Sequence, residues 1–167
     1  MLIDNRFPEF VMAVCQAAQA RNIPIVIDLD QATTVDDPLL ALGTHVVSSA
    51  EALRGTTGLD DTGAGLKRLA EHISGFLAVT DGPNGITWLD QGSVRHLPAF
   101  KVTVIDSLAA GDAFHGAFTL ALAERRGVTD AMRFGSATAA LKCTKFGGAS
   151  GAPQRSEVDD FLQRQQR

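Results

Sequence analysis

The sequence predicts an α/β fold, a mostly parallel sheet between two layers of helices, with residues 1–167 in one domain. Three observations carry it. Short apolar runs rich in β-branched residues recur, as in "IPIVIDL" at 23–29 and "GFLAVT" at 75–80, and such runs suit strands covered on both faces. Segments with helical spacing separate them, and alternating strands and helices imply parallel pairing through crossovers. Polar clusters also recur at strand ends: Asp28 and Asp30, Ser48 to Glu51, Thr80 to Gly85, and 106–112. Open α/β sheets bind their ligands at such ends.

The elements follow in chain order. "FPEFVMAVCQAAQARN" predicts a first helix with Phe10, Val14 and Ala17–Ala18 on its apolar stripe and Pro8 in its first turn, stopping near Asn22. The strand at 23–29 comes next, then a second at 45–49, "HVVSS". Leu66, Leu69 and Ile73 give 60–73 helical spacing, and the strand at 75–80 follows. "GITWLDQGSVRHL", 85–97, has two strand-like runs around "DQG", which predicts a β-hairpin. Helices are expected over 109–125 and, after the Gly127 break, over 128–145. "FGGASGAP", 146–153, is a glycine-rich loop, and "SEVDDFLQRQQR" is a closing helix capped by Ser156.

Composition narrows the function. Apolar residues make up 45% and charged residues 20% of the chain, as in ordinary globular proteins. The net charge of -4 comes with no basic block, which argues against nucleic acid as a partner, because phosphate backbones call for clustered Lys and Arg. Cys15 and Cys143 give neither a metal-ligand spacing nor a disulfide framework. The apolar runs are too short to span a membrane, and "MLIDNRFPEF" is unlike a signal peptide. The expected location is the cytoplasm. His45, His72, His96 and His115 show no ligand spacing.

The stretch "DSLAAGDAF", 106–114, is unusual. Small residues entering a helix expose unpaired amides at its positive end, and a bare Gly111 lets an anion approach closely. The amides of Ala109, Ala110 and Gly111 could hold developing negative charge. Asp112, beside them, would repel a bound phosphate but could take a proton from a hydroxyl that attacks it. Together they suggest phosphoryl transfer to an alcohol. A plain alternative is that Asp112 only complements the helix dipole.

"DSLAAGDAFHGAF" resembles the C-terminal signature of the ribokinase/PfkB family of carbohydrate kinases, D-[ST]-x-[GA]-[AG]-G-D-x-F, which Asp106, Ser107, Ala109, Ala110, Gly111, Asp112 and Phe114 satisfy. "VTDGPNGITWL" is similar to the family's T-x-G-x-x-G segment, and "FGSATAALKCTKFGGASGAP" to its adenine-side helix and loop. The resemblance implies a ribokinase-like, Rossmann-like fold and an ATP-dependent kinase acting on a sugar hydroxyl. Asp112 would be the general base, and the 109–112 amides the anion hole. Thr80, Gly82 and Gly85 would lie along the nucleotide phosphates and ribose, and Ser136, Gly147 and Gly148 would border the adenine. It also implies a monovalent cation, such as K+, held by Asp106 and the 147–151 region.

Two departures stand out. The family's Asn-x-x-Glu motif, which organises Mg2+ through water, reads "SSAE" here, with Ser48 in the asparagine place and Glu51 keeping the acid. Glu51 could still serve Mg2+, or be a solvated acid at a helix start. Full members are also nearly twice as long. The resemblance implies that this chain is the nucleotide-binding half alone, lacking the first half with its β lid and most sugar contacts, either as a product starting at Met1 or as a fragment. An uncovered sheet edge would follow. Self-association, or association with the missing half, is therefore expected. A nucleotide-binding fragment without catalysis is the alternative to an active kinase.

Overall fold

A computed structural model describes residues 1–165. It divides into two compact units, one spanning Met1–Leu97 and the other starting at Pro98. The last two residues of the expected closing helix lie outside the described residues.

The first unit holds one six-stranded sheet whose spatial order equals its chain order. Its strands are β1 (Leu2–Asp4), β2 (Val26–Leu29), β3 (His45–Ser49), β4 (Phe76–Thr80), β5 (Ile86–Asp90) and β6 (Ser93–Leu97). β1 to β4 run parallel, while β5 and β6 form the antiparallel hairpin expected from "DQG". Helices α1 (Pro8–Gln19), α2 (Ala50–Thr57) and α3 (Thr62–Ala70) complete it. Ile27, Leu29, Val46, Leu77 and Val79 point to one face of the sheet and meet Cys15, Ala18, Leu53, Leu66 and Leu69 from the helices. Each of the valine, leucine and isoleucine side chains contributes about 1.5–3 kcal/mol when fully buried. Val26, Val47 and Ala78 alternate to the opposite face and are buried as well, which is why these strands read as continuous apolar runs. Gly75 permits a close backbone approach before β4, since a Cβ there would stand 2.4 Å from the Gly43 carbonyl oxygen.

Several elements differ from expectation. β1 is a three-residue strand paired to β2, too short to show a periodicity. β2 begins at Val26 rather than 23, and Ile23 is exposed. On α1 the buried residues are Cys15 and Ala18, while Phe10 and Val14 face outward. The helix carries apolar residues on two neighbouring stripes, and spacing alone cannot say which one the sheet covers. α3 ends at Ala70, so Ile73 is buried beyond the helix rather than within it.

The second unit is helical: α4 (Ala110–Ala123), α5 (Val128–Cys143) and α6 (Arg155–Arg164). α4 and α5 pack closely because Gly135 faces the Phe114 ring, where a Cβ would stand 2.8 Å from two ring carbons. The Phe114 and Phe118 rings stack at 5.8 Å. α6 is tied back by Lys145–Glu157 at 2.7 Å and Arg155–Glu124 at 2.7 Å. Its N-cap is Gln154, which forms a capping box with Glu157, so Ser156 lies inside the first turn. Among the described residues no helix is long and apolar enough to cross a membrane.

Candidate functional site

The second unit carries the stretch that the sequence singled out. Asp106 anchors it. One carboxylate oxygen accepts the Leu108 N–H and the other the Gly147 N–H, both at 2.9 Å. The Ile105 and Asp106 amides both donate to the Cys143 carbonyl at the end of α5, at 2.7 and 3.2 Å. The bonds from Leu108 and Gly147, aided by the Lys142 charge, hold the Asp106 carboxyl below the usual carboxylate range. Ala109 then adopts a left-handed conformation, φ 61° and ψ 20°, uncommon for a residue with a Cβ. This turn delivers the chain directly into α4.

The first amides of α4 are unevenly used. Ala110 N–H donates to the Ser107 carbonyl at 3.1 Å, and Ala113 N–H to the Ala109 carbonyl at 3.0 Å. The amides of Ala109, Gly111 and Asp112 find no acceptor among the described residues. The expected cradle is therefore interrupted at Ala110. Gly111 and Asp112 are exposed, and a Cβ built on Gly111 would meet nothing within 4 Å. Open space over unpaired amides at a helix N-terminus suits an anionic oxygen. The Asp112 carboxylate stands beside that space with no hydrogen bond or ion pair to other described residues.

The glycine-rich loop lies against this corner. A Cβ on Gly148 would stand 3.6 Å from Leu108 Cδ2 and 3.9 Å from Ala109 Cβ. Gly147 has φ of 92°, a conformation that favours glycine. Ser136 sits partly exposed on α5, seven residues before the helix ends, roughly 10 Å back along its axis.

One residue here, Lys142, escaped the sequence reading, and His115, which showed no ligand spacing, lies here too. His115 is buried, with Nδ1 2.9 Å from the Gly111 carbonyl oxygen. A carbonyl only accepts, so the proton of that bond belongs to Nδ1. Lys142 is fully buried; its Nζ donates to the Asp106 backbone carbonyl at 2.9 Å and stands 3.5 Å from the Asp106 carboxylate. A lysine inside the apolar run "ATAALKC" was the available signal, because lysine is almost never fully buried unless paired.

In the first unit, Thr80 ends β4 and its hydroxyl donates to the Ser48 carbonyl at 3.3 Å. Gly82 and Gly85 belong to the turn that follows. The Asp81 N–H donates to the Gly85 carbonyl at 2.8 Å, and the Gly85 N–H to the Gly82 carbonyl at 3.1 Å. Gly82 has φ of 48° and open space at its Cβ position. Gly85, at φ 90° and ψ −142°, occupies backbone space available essentially to glycine. The register Ser49↔Thr80 brings the ends of β3 and β4 side by side. Glu51 sits exposed in the first turn of α2, just after the Ser49 N-cap. Ser48 is buried, and its hydroxyl donates to the Ala78 carbonyl at 3.4 Å. Among the described residues no group of three or more His, Cys, Asp or Glu gathers as a metal cluster.

The donor sets answer differently for the groups that the resemblance implies. Unpaired amides and open space at Gly111 fit a phosphate, and the exposed carboxylate of Glu51 fits a hydrated divalent cation. The Asp106 carboxylate, already holding two amides and an ammonium, does not fit a further monovalent cation.

The sequence pattern of the pfkB family carbohydrate kinases matches residues 4–155. The chain belongs to that family. A ribokinase from Haemophilus influenzae is 33% identical over 158 residues, 92% of this chain and 52% of its own length. A crystal structure from Agrobacterium tumefaciens, of a protein provisionally assigned as a ribokinase, superposes with a TM-score of 0.92 at 40% identity. It covers 99% of this pfkB-family chain, which covers 56% of it in return. The ribokinase of Arabidopsis thaliana, solved with ribose and ATP, shares the fold at a TM-score of 0.86 and 22% identity. It covers 96% of this chain, which covers 55% of it. This pfkB-family chain spans about half the length of the curated relatives it matches.

Proposed function

We propose that the chain carries the nucleotide-binding and catalytic half of an ATP-dependent carbohydrate kinase. The observation that supports this best is the exposed Asp112 carboxylate beside the unpaired Gly111 and Asp112 amides, on a chain of the pfkB family. A sugar hydroxyl attacks the γ-phosphorus of ATP. The new O–P bond forms as the bridging bond to the β-phosphate breaks, the hydroxyl proton passes to Asp112, and ADP leaves. Charge growing on the γ-phosphoryl oxygens is met by amides already in place, which need no reorganisation at that moment. Thr80, Gly82 and Gly85 border the phosphates and ribose, and Ser136, Gly147 and Gly148 border the adenine. Glu51 would be the carboxylate that holds Mg2+, which would supply charge neutralisation to the nucleotide. The cytoplasm is the compartment in which ATP and two reduced thiols fit together.

A second reading is nucleotide binding without transfer. It is favoured by the chain spanning about half the length of its relatives, because the resemblance assigns most sugar contacts to the other half.

Asp112→Asn tests the first reading. The exposed side chain should be replaceable with stability changed by about 0.5 kcal/mol or less. ADP affinity by calorimetry should stay within about twofold, while phosphorylation across a sugar panel falls by about 10² to 10⁴. Unchanged turnover would remove Asp112 from the reaction. ATP binding with no product from the unaltered chain would select the second reading.

A further inference from the structure

We propose that the Lys142 ammonium is a built-in cation: it fills the charge requirement at Asp106 that a monovalent metal ion would otherwise meet, so the order of the 146–151 loop is indifferent to K+. This goes beyond the kinase reading and does not rest on it.

Charge sets the first constraint. Asp106 carries one negative charge, and the fully buried ammonium of Lys142 supplies one positive charge, 3.5 Å from Oδ2 and 2.9 Å from the residue's own carbonyl oxygen. The pair is neutral. A second cation at Asp106 would face that ammonium across a few ångströms of partly desolvated space, where like charges repel strongly. Coordination narrows the room further: each Asp106 carboxylate oxygen spends one of its two acceptor sites on an amide, from Leu108 and Gly147, and Oδ2 also faces the ammonium at 3.5 Å.

The surrounding loop is closed around the lysine. A Cβ on Gly151 would stand 3.5 Å from Lys142 Cε, 3.4 Å from the Phe146 carbonyl oxygen and 3.5 Å from that of Lys145. The end of the lysine stem therefore shares one small space with two loop carbonyls. The Gly151 N–H reaches back to the Gly147 and Gly148 carbonyls at 3.0 and 3.1 Å. A carboxylate and a backbone carbonyl are the kinds of oxygen a hard monovalent ion uses, and here the ammonium delivered from α5 meets both, at Asp106. A tether removes the cost of recruiting the ion from solution. It also couples the loop to the cradle, because the same Asp106 holds Leu108 on one side and Gly147 on the other.

The deciding experiment replaces choline chloride by KCl at constant ionic strength. In the unaltered chain the Leu108 and Gly147 amide resonances and the thermal midpoint should not respond to K+. In Lys142→Met the midpoint in choline should fall by roughly 5–10 °C, and K+ should restore it saturably, while Li+ restores it less. A merely structural lysine would give the loss without ion-selective rescue. Saturable K+-dependent shifts in the unaltered chain would overturn the proposal, as would a folded Lys142→Met that ignores K+. Should Lys142→Met fail to fold in either salt, the titration of the unaltered chain decides. None of these readings needs turnover, so failure here and failure of the kinase reading are distinguishable.

Discussion

Gly111 separates two demands that usually coincide at a helix start. It sits at the second position of α4, where its backbone is helical and a Cβ would meet nothing within 4 Å. Packing therefore does not require glycine there. Alanine is the better helix former, by up to about 1 kcal/mol. A bare position that folding does not need is the expected mark of a ligand's approach path. Gly111→Ala should leave the thermal midpoint unchanged or raise it by up to about 3 °C, yet weaken ATP binding by about tenfold or more, because the methyl group would stand over the unpaired amides. Calorimetry with ATP and with adenosine checks this. Loss confined to ATP supports the cradle, whereas equal affinity for ATP in both proteins would mean that no phosphate reaches those amides.

At the scale of elements, what the sequence disclosed and what it hid have physical causes. The interior strands β2, β3 and β4 and the β5–β6 hairpin were legible, because double-sided burial and turn chemistry both leave local patterns. β1 was not, since three residues carry no periodicity and its identity comes from pairing with β2. Of the stripe expected on α1 only Ala18 is buried, because Phe10 and Val14 form as good a stripe as the one the sheet covers. The cap of α6 moved from Ser156 to Gln154 because Glu157 could complete a box with the latter. In the corner of the second unit, the signature marked Asp106 and Asp112 by type and spacing. The partner of Asp106, 36 residues away, could be found only in three dimensions. The α4–α5 contact has its own test. Gly135→Ala would push a methyl group to 2.8 Å from the Phe114 ring and 3.1 Å from the Phe114 carbonyl oxygen. Overpacking of this kind costs about 1–3 kcal/mol. Denaturant unfolding should show that loss, and an unaltered midpoint would mean that the two helices separate freely.

For the molecule as a whole, the apolar surface of the first unit is the feature with the largest consequence. β1 is an edge strand, so one side of it offers unpaired N–H and C=O groups. Around it Leu2, Phe7, Phe10, Val14 and Ile23 are all exposed, Phe10 to 76%. Phe7 and Phe10 meet edge to face at 6.3 Å and flank an open depression of about 480 Å³. The strand is short and ends on the exposed Asp4, both of which blunt an edge, but aromatic rings border it as well. Exposed apolar side chains grouped in this way are what an interaction surface presents, and we propose that another polypeptide covers them. The relatives' additional length is a natural source of that cover, and a second copy of the same chain is the substitute at hand when these 167 residues are purified alone. Sedimentation velocity at rising concentration should then show a growing dimer or higher species. Phe10→Ser should shift the association at least tenfold toward monomer while changing stability by about 0.5 kcal/mol or less, because the ring is already in water. Supplying the amino-terminal half of a relative in trans should compete with self-association at the same edge. A monomer that stays monomeric at every concentration, with and without Phe10, would show that this edge tolerates water and needs no partner.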